Sequence, residues 1–290
     1  MASSIIDAPQ RLSAGALRRA QPAAARQPLV WQQPPVTSWA DFDELVALPG
    51  RPLLARLDDY EDSLLVAGCA GSGTTAIARL FKRTDGIADH AFGHDDELDG
   101  ALLLAGHMER FDDRRHCFQT SYLGDRFREY FEHGDFRLIW ILREPATVVS
   151  AMLSGWKRAA LDRLLPPGGG RPYTEATGRS VSAGGSRLDR ACAAYTRSIA
   201  CTFEIAARLG PRAAIVDYDD LAARRAQLLP QLCTFAGTPF DRRHLCHLHG
   251  KSVHRAHTLA DWETARVAEL AAPAYRRARA LCTIGNTHGL

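Results

Sequence analysis

The sequence predicts an α/β protein of the phosphate-loop type, three layers deep, with a central parallel sheet and helices on both faces. Three observations carry that prediction. Apolar runs at 64–68, 136–142 and 213–216 have the length of buried strands. Helical stretches separate them, and this alternation of strand and helix is what a parallel sheet requires. A glycine-rich turn, Gly68-Cys69-Ala70-Gly71-Ser72-Gly73-Thr74-Thr75, joins the first run to the helix behind it. Its glycines let successive N–H groups converge, and the helix N-terminus adds partial positive charge. An oxyanion is the natural occupant.

Taken in order, residues 1–36 form an Ala/Arg/Pro-rich leader, expected to be flexible and outside the core. The remainder, 37–290, reads as one domain. Ser38 is placed to cap a short helix running from Trp39 to Leu48, stopped by Pro49-Gly50. After the glycine turn a helix is expected from Thr74 to Lys82, then a segment rich in His and acid, 87–100. Leu102-Leu103-Leu104 fits helix or strand, and 123–132 fits a helix. Phe136 to Leu142, apolar on both faces, is the central strand. Arg143-Glu144-Pro145 ends it and opens a helix expected to reach about Leu165. The glycine-rich stretch at about 166–187 has no apolar period, and a loop of that length is expected to be mobile or functional. Further helices are predicted over 188–209, to Phe235, and from Asp261 to about Cys282.

Bulk properties exclude several classes. A hydrophobic content of 46%, a charged content of 24% and a net charge of +3 are ordinary for a soluble protein. They give no argument for nucleic acid as a partner. No apolar run approaches bilayer length, so no membrane partner is expected. The leader lacks the continuous apolar segment of a signal peptide. Seven scattered cysteines with no Cys-x-x-Cys pair favour reduced thiols and a cytoplasmic location. Cys69 reads as a buried filler. His244, Cys246, His247, His249, His254 and His257 match no zinc spacing and sit among arginines, so no metal is expected.

The spacing from Gly68 to Gly73 is that of a nucleoside-triphosphate loop, but Thr74 stands where that loop needs its lysine. Lysine and Mg²⁺ together neutralise three phosphates. A loop without the lysine suits an anion of lower charge, held by N–H groups and by the hydroxyls of Ser72, Thr74 and Thr75.

Ala70-Gly71-Ser72-Gly73-Thr74-Thr75 resembles the 5′-phosphosulfate loop of the P-loop sulfotransferases. Further segments follow in that family's order. Phe136 to Ser154 is similar to its 3′-phosphate strand, loop and helix. Val216-Asp217-Tyr218-Asp219-Asp220-Leu221 is similar to its late Tyr-Glu-Asp-Leu segment. Lys251 through Asp261-Trp262 resembles the closing loop of the tyrosylprotein branch, and the resemblance leans that way.

The resemblance implies a metal-free, in-line transfer of a sulfuryl group. The donor would be 3′-phosphoadenosine 5′-phosphosulfate and the acceptor a hydroxyl, on a peptide tyrosine or a small molecule. By the same resemblance Ala70 to Thr75, Arg143, Ser150, Tyr218 and Lys251 would hold the donor. The general base would be His94 or Glu97 by one branch and His116 by another.

Two positions depart from the family. Gly71 replaces a basic residue, and Ala151 replaces a serine that Ser150 or Ser154 would have to supply. An arginine at position 71 is expected to tighten donor binding. Two other readings stay open: a small-molecule kinase, and a non-catalytic nucleotide-binding module with a decayed site. The acceptor is not legible, and a homodimer is compatible with the sequence.

Overall fold

The computed structural model describes residues 30–31, 36, 38–46, 52–88, 96–109, 114–154, 186–248 and 259–285. The strands are β1 (Val30–Trp31), β2 (Ser63–Gly68), β3 (Ile87–Ala88), β4 (Met108–Glu109), β5 (Arg115–Gln119), β6 (Phe136–Leu142) and β7 (Ala213–Asp217). The helices before the long glycine-rich stretch are α1 (Trp39–Val46), α2 (Thr74–Lys82), α3 (Asp96–Leu104) and α4 (Pro145–Leu153). Those after it are α5 (Arg187–Leu209), α6 (Tyr218–Ala223), α7 (Arg225–Ala236), α8 (His244–His247), α9 (Asp261–Leu270) and α10 (Ala272–Arg279).

Five strands form one parallel sheet in the order β3-β5-β2-β6-β7, so the fold is α/β with a central parallel sheet between helical layers. All six residues of β2 are buried, as expected for a strand with a neighbour on each side and a helical layer on each face. Side chains alternate between the layers with the period of two that a strand imposes. Leu65, Leu138 and Ile215 enter the larger core against α3, α4, α5 and α10. Leu64, Val66, Ile139 and Val216 enter the smaller core against α2 and α7.

Chain order makes β2 the switch point. From β2 the chain crosses to β3 and returns through β5 on one side, then continues to β6 and β7 on the other. Ligands of open parallel sheets bind at the carboxyl ends of the strands beside such a point. The glycine turn leaves β2 at that place.

Several elements follow the expectation closely. Ser38 caps α1, its Oγ accepting from the Asp41 N–H at 3.2 Å, and β6 covers the expected 136–142. Others differ for physical reasons. The triple leucine lies in helix α3, whose 98–104 stretch is wholly buried. The expected helix at 123–132 is a 3₁₀ segment, Ser121–Glu132, kinked at Gly124 with φ of 46°. The last helix is two, α9 and α10, with Pro273 in the first turn of α10, where its missing N–H costs nothing.

β5 lies in a stretch for which only polar and aromatic residues are evident, and it sits directly beside β2. Within the expected leader, Val30–Trp31 pairs antiparallel with β4, and Val36 is buried in the core. That part of the leader therefore belongs to the folded domain. Most of the expected mobile loop, 166–185, lies outside the described residues.

Candidate functional site

The turn from Gly68 to Thr75 is held by close approaches that only glycine permits. At Gly68 (φ 151°) an added Cβ would stand 2.5 Å from the Ile141 carbonyl oxygen. At Gly73 (φ 103°) it would run into the Tyr218 ring. Gly71 also has positive φ, 95°. Inside the turn the Ser72 N–H donates to the Cys69 carbonyl at 2.9 Å. The Ser72 side chain is fully buried, and its hydroxyl has no hydrogen-bond partner among the described residues. An orphaned hydroxyl inside such a turn fits an anion that would accept from it.

On the β6–β7 side the turn meets a dense, charge-paired cluster. Arg143, 6% exposed, donates from Nε to Asp219 at 3.2 Å and from Nη1 to the Gly71 carbonyl at 3.3 Å. Its guanidinium lies 4.6 Å from the centre of the Tyr218 ring, the same ring that braces Gly73. Asp219 also accepts from the Glu144 N–H at 3.2 Å, and Tyr195 Oη donates to the Arg143 carbonyl at 2.7 Å. Glu144 in turn caps α4 by accepting from the Thr147 N–H at 2.8 Å.

Deeper on that side Asp217 caps α6, accepting from the Asp220 N–H at 3.0 Å, and takes the Tyr275 hydroxyl as a second donor. Burial holds the Asp217 carboxyl above its ordinary range, although both hydrogen bonds pull it down.

On the β5–α3 side the contacts to Thr74 come from the uncharged Gln119 and Ser121, with Glu97 behind Gln119. Gln119, the last residue of β5, donates from Nε2 to Glu97 Oε2 at 2.7 Å and to Thr74 Oγ1 at 3.2 Å. Ser121 Oγ also donates to Thr74 Oγ1, at 3.1 Å. Thr74 and Gln119 are each 4% exposed. An ion pair of Arg79 with Asp96 at 3.2 Å ties α2 to the start of α3 and so holds Glu97 beside the turn.

A narrow pocket opens from the turn toward α5, with Cys69, Thr120, Phe127, Tyr130, Trp140 and Arg197 in its wall. Its interior measures about 20 Å³, room for one water. Burial raises the Tyr130 hydroxyl far above its ordinary value, and pushes the Cys201 thiol up to about 12. Neither is ionised at neutral pH, so neither serves as a ready base.

The sequence-based candidates divide as follows. Ala70 to Thr75, Arg143, Tyr218 and Glu97 are brought together around the turn. Tyr218 is buried and supports the turn from behind. Ser150 is half-buried in α4, five residues after Pro145 and thus about 8 Å along the helix from its start. His116 is not brought to the turn. It is buried near the N-terminal end of β5, stacked on Phe118 at 5.5 Å and edge-on to Tyr60 at 4.8 Å. Three residues of strand, about 10 Å, separate it from Gln119. His94 and Lys251 lie outside the described residues.

Gln119 and Ser121 are the residues that sequence reasoning missed. The sequence carried little signal for them, because Arg115-His116-Cys117-Phe118-Gln119 holds only two apolar residues and does not alternate. No group of three or more His, Cys, Asp or Glu among the described residues is placed to hold a metal. No described helix is long and apolar enough to cross a membrane.

The chain matches no family model and no curated protein. Solved structures of similar shape include a sulfotransferase domain from the curacin biosynthetic pathway. That likeness has a TM-score of 0.47 and 13% identity, over 72% of this chain and 96% of that one. A mouse sulfotransferase, SULT7A1, complexed with PAP also gives 0.47 and 13%, over 80% and 93%. A sulfotransferase from Alicyclobacillus acidocaldarius gives 0.47 and 15%, over 76% and 95%. Likeness at this level says nothing of activity.

Proposed function

We propose that this protein is a sulfotransferase that uses 3′-phosphoadenosine 5′-phosphosulfate and an acceptor hydroxyl. The observation that carries the reading is the lysine-free turn at the switch point, with its buried, unpartnered Ser72 hydroxyl. The donor supplies an activated sulfuryl group. The chain's part is to bind and orient it: backbone N–H groups of the turn, the hydroxyls of Ser72, Thr74 and Thr75, and the dipole of α2 face the anionic end. Arg143 holds the turn closed through the Gly71 carbonyl and brings positive charge to its rim.

The neighbouring pocket would admit the acceptor. Its Phe127, Tyr130 and Trp140 walls suit an aromatic ring, which favours a phenolic hydroxyl such as a peptide tyrosine. Opening beyond the present 20 Å³ is part of this reading. None of the seven cysteines is in a disulfide, which suits a reducing compartment such as the cytoplasm.

A kinase reading is disfavoured by the strands flanking β2. They end in Gln119 and Leu142, where a metal–triphosphate site would need an acid, and Asp219 is already paired with Arg143. A non-catalytic binding module draws support from that same pairing, because Asp219 offsets the charge of Arg143, and from Gly71.

Calorimetric titration with adenosine 3′,5′-bisphosphate tests the common core of the proposal. Binding at about micromolar concentrations is expected, and no binding at a hundredfold more would sink the reading. Transfer of labelled sulfate to a panel of phenols and tyrosine peptides then separates enzyme from module.

A further inference from the structure

Thr74 occupies the place of the missing lysine, and its hydroxyl is in an unusual position. A hydroxyl has one proton to give and two lone pairs to receive with. Both lone pairs of Thr74 Oγ1 are engaged, by Gln119 Nε2 at 3.2 Å and Ser121 Oγ at 3.1 Å. Among the described residues no acceptor takes its proton. Both donors come from the β5 side, so tetrahedral geometry at the oxygen directs the remaining O–H away from β5.

The orientation of the Gln119 amide decides whether this holds. Turned over, its oxygen would face Thr74 and could only accept. Glu97, when ionised, sets the orientation: at 2.7 Å from Glu97 Oε2 an amide oxygen would be repelled, and an N–H donates. Glu97 itself is held at the start of α3, next to Asp96, which is tied to Arg79 of α2.

We propose that Glu97 and Gln119 form a relay that orients the Thr74 hydroxyl as a fixed donor to the anion in the turn. Thr74 thereby supplies a preorganised hydrogen bond where the triphosphate loop supplies a lysine charge. Glu97 is a positioning residue, acting through Gln119 and not on the acceptor. The inference rests on reading the turn as an oxyanion cradle. It adds which side chains set the donor's direction, and why a threonine there is more than a small filler. A donor that need not be reoriented at the moment of binding or reaction is worth more than a free hydroxyl.

The test is a double-mutant cycle on adenosine 3′,5′-bisphosphate affinity, with melting temperature recorded for every variant. Thr74→Val is expected to weaken binding about tenfold or more, the worth of one hydrogen bond to a charged group. Thr74→Ser keeps the hydroxyl and is expected to stay within about twofold. Gln119→Met and Glu97→Gln are expected to weaken binding several-fold in the wild-type background and hardly at all in the Thr74→Val background. Losses that add in the double variants, or single variants that bind as wild type does, would overturn the relay while leaving the cradle standing. No binding to the wild-type protein would overturn the cradle and the relay together.

Discussion

The two flanks of the glycine turn are built on opposite principles. On the β6–β7 flank, Arg143, Tyr218, Asp217 and Tyr275 are buried and Asp219 is half-buried; Arg143 engages Asp219 and Tyr218, and Asp217 engages Tyr275. On the β5–α3 flank, Thr74 accepts twice and donates to no described group, and inside the turn the Ser72 hydroxyl has no partner among the described residues. Nearly every valence on the first flank is spent inside the protein. Its business is to hold the turn in shape, at a cost in desolvation that only complete pairing offsets. The second flank keeps hydrogen-bond donors in reserve. A phosphate-type turn needs both: rigidity from one wall and unspent donors from the other.

Breaking the saturated flank should therefore cost stability, and the largest loss is expected when a buried charge is orphaned. Asp219→Ala leaves the Arg143 guanidinium without its carboxylate and should lower unfolding free energy by about 3 kcal/mol. Urea denaturation at neutral pH would measure it, and a loss well under 1 kcal/mol would mean the pair is not the pin it looks to be.

Gly68→Ala attacks the turn's backbone directly. The new Cβ meets the Ile141 carbonyl 2.5 Å away, an atom fixed by the β2–β6 ladder, so relief by side-chain movement is closed. A loss of about 2 kcal/mol is expected from overpacking and unfavourable φ. Tyr275→Phe removes one donor from Asp217 and is expected to cost about 1–2 kcal/mol in the same assay.

The Asp217 carboxyl also predicts a pH dependence. Its value in the fold lies above the ordinary 3.8, chiefly through burial, so the folded state holds the proton more tightly than the unfolded chain. The contribution is fully present below 3.8 and is lost as pH rises through the folded value. Asp217→Asn should remove that part of the stability–pH slope. An unchanged slope in the variant would assign it elsewhere.

The smallest effect is expected on the reserve flank's missing charge. Gly71→Arg adds a cation at the rim but sits at φ 95°. It should lower stability by about 1 kcal/mol while raising adenosine 3′,5′-bisphosphate affinity up to about fivefold. Calorimetry and thermal melting on one preparation would separate the two effects.

Much of this protein is legible without coordinates, because local physics writes it. Buried strands must be apolar on both faces, so β2, β6 and β7 stand out in the chain. A glycine turn before a helix must gather N–H groups, so Ala70 to Thr75 stand out in the chain as a candidate anion site, and the lysine is visibly absent. The polar strand β5 is not legible in that way. Arg115-His116-Cys117-Phe118-Gln119 carries only two apolar residues, and it becomes a strand because β2 offers it a free edge.

That pairing made the decisive difference to the site. It buried His116 far down the strand and delivered Gln119 to the turn, and side-chain chemistry gave no warning of either. Residue types declare what a group can do, and they are fixed in the sequence. Which lone pairs are already taken, and so which protons remain to be given, depends on contacts between residues as distant as Thr74, Glu97 and Gln119. Only the tertiary structure decides that, because hydrogen-bond saturation is a property of neighbours in space.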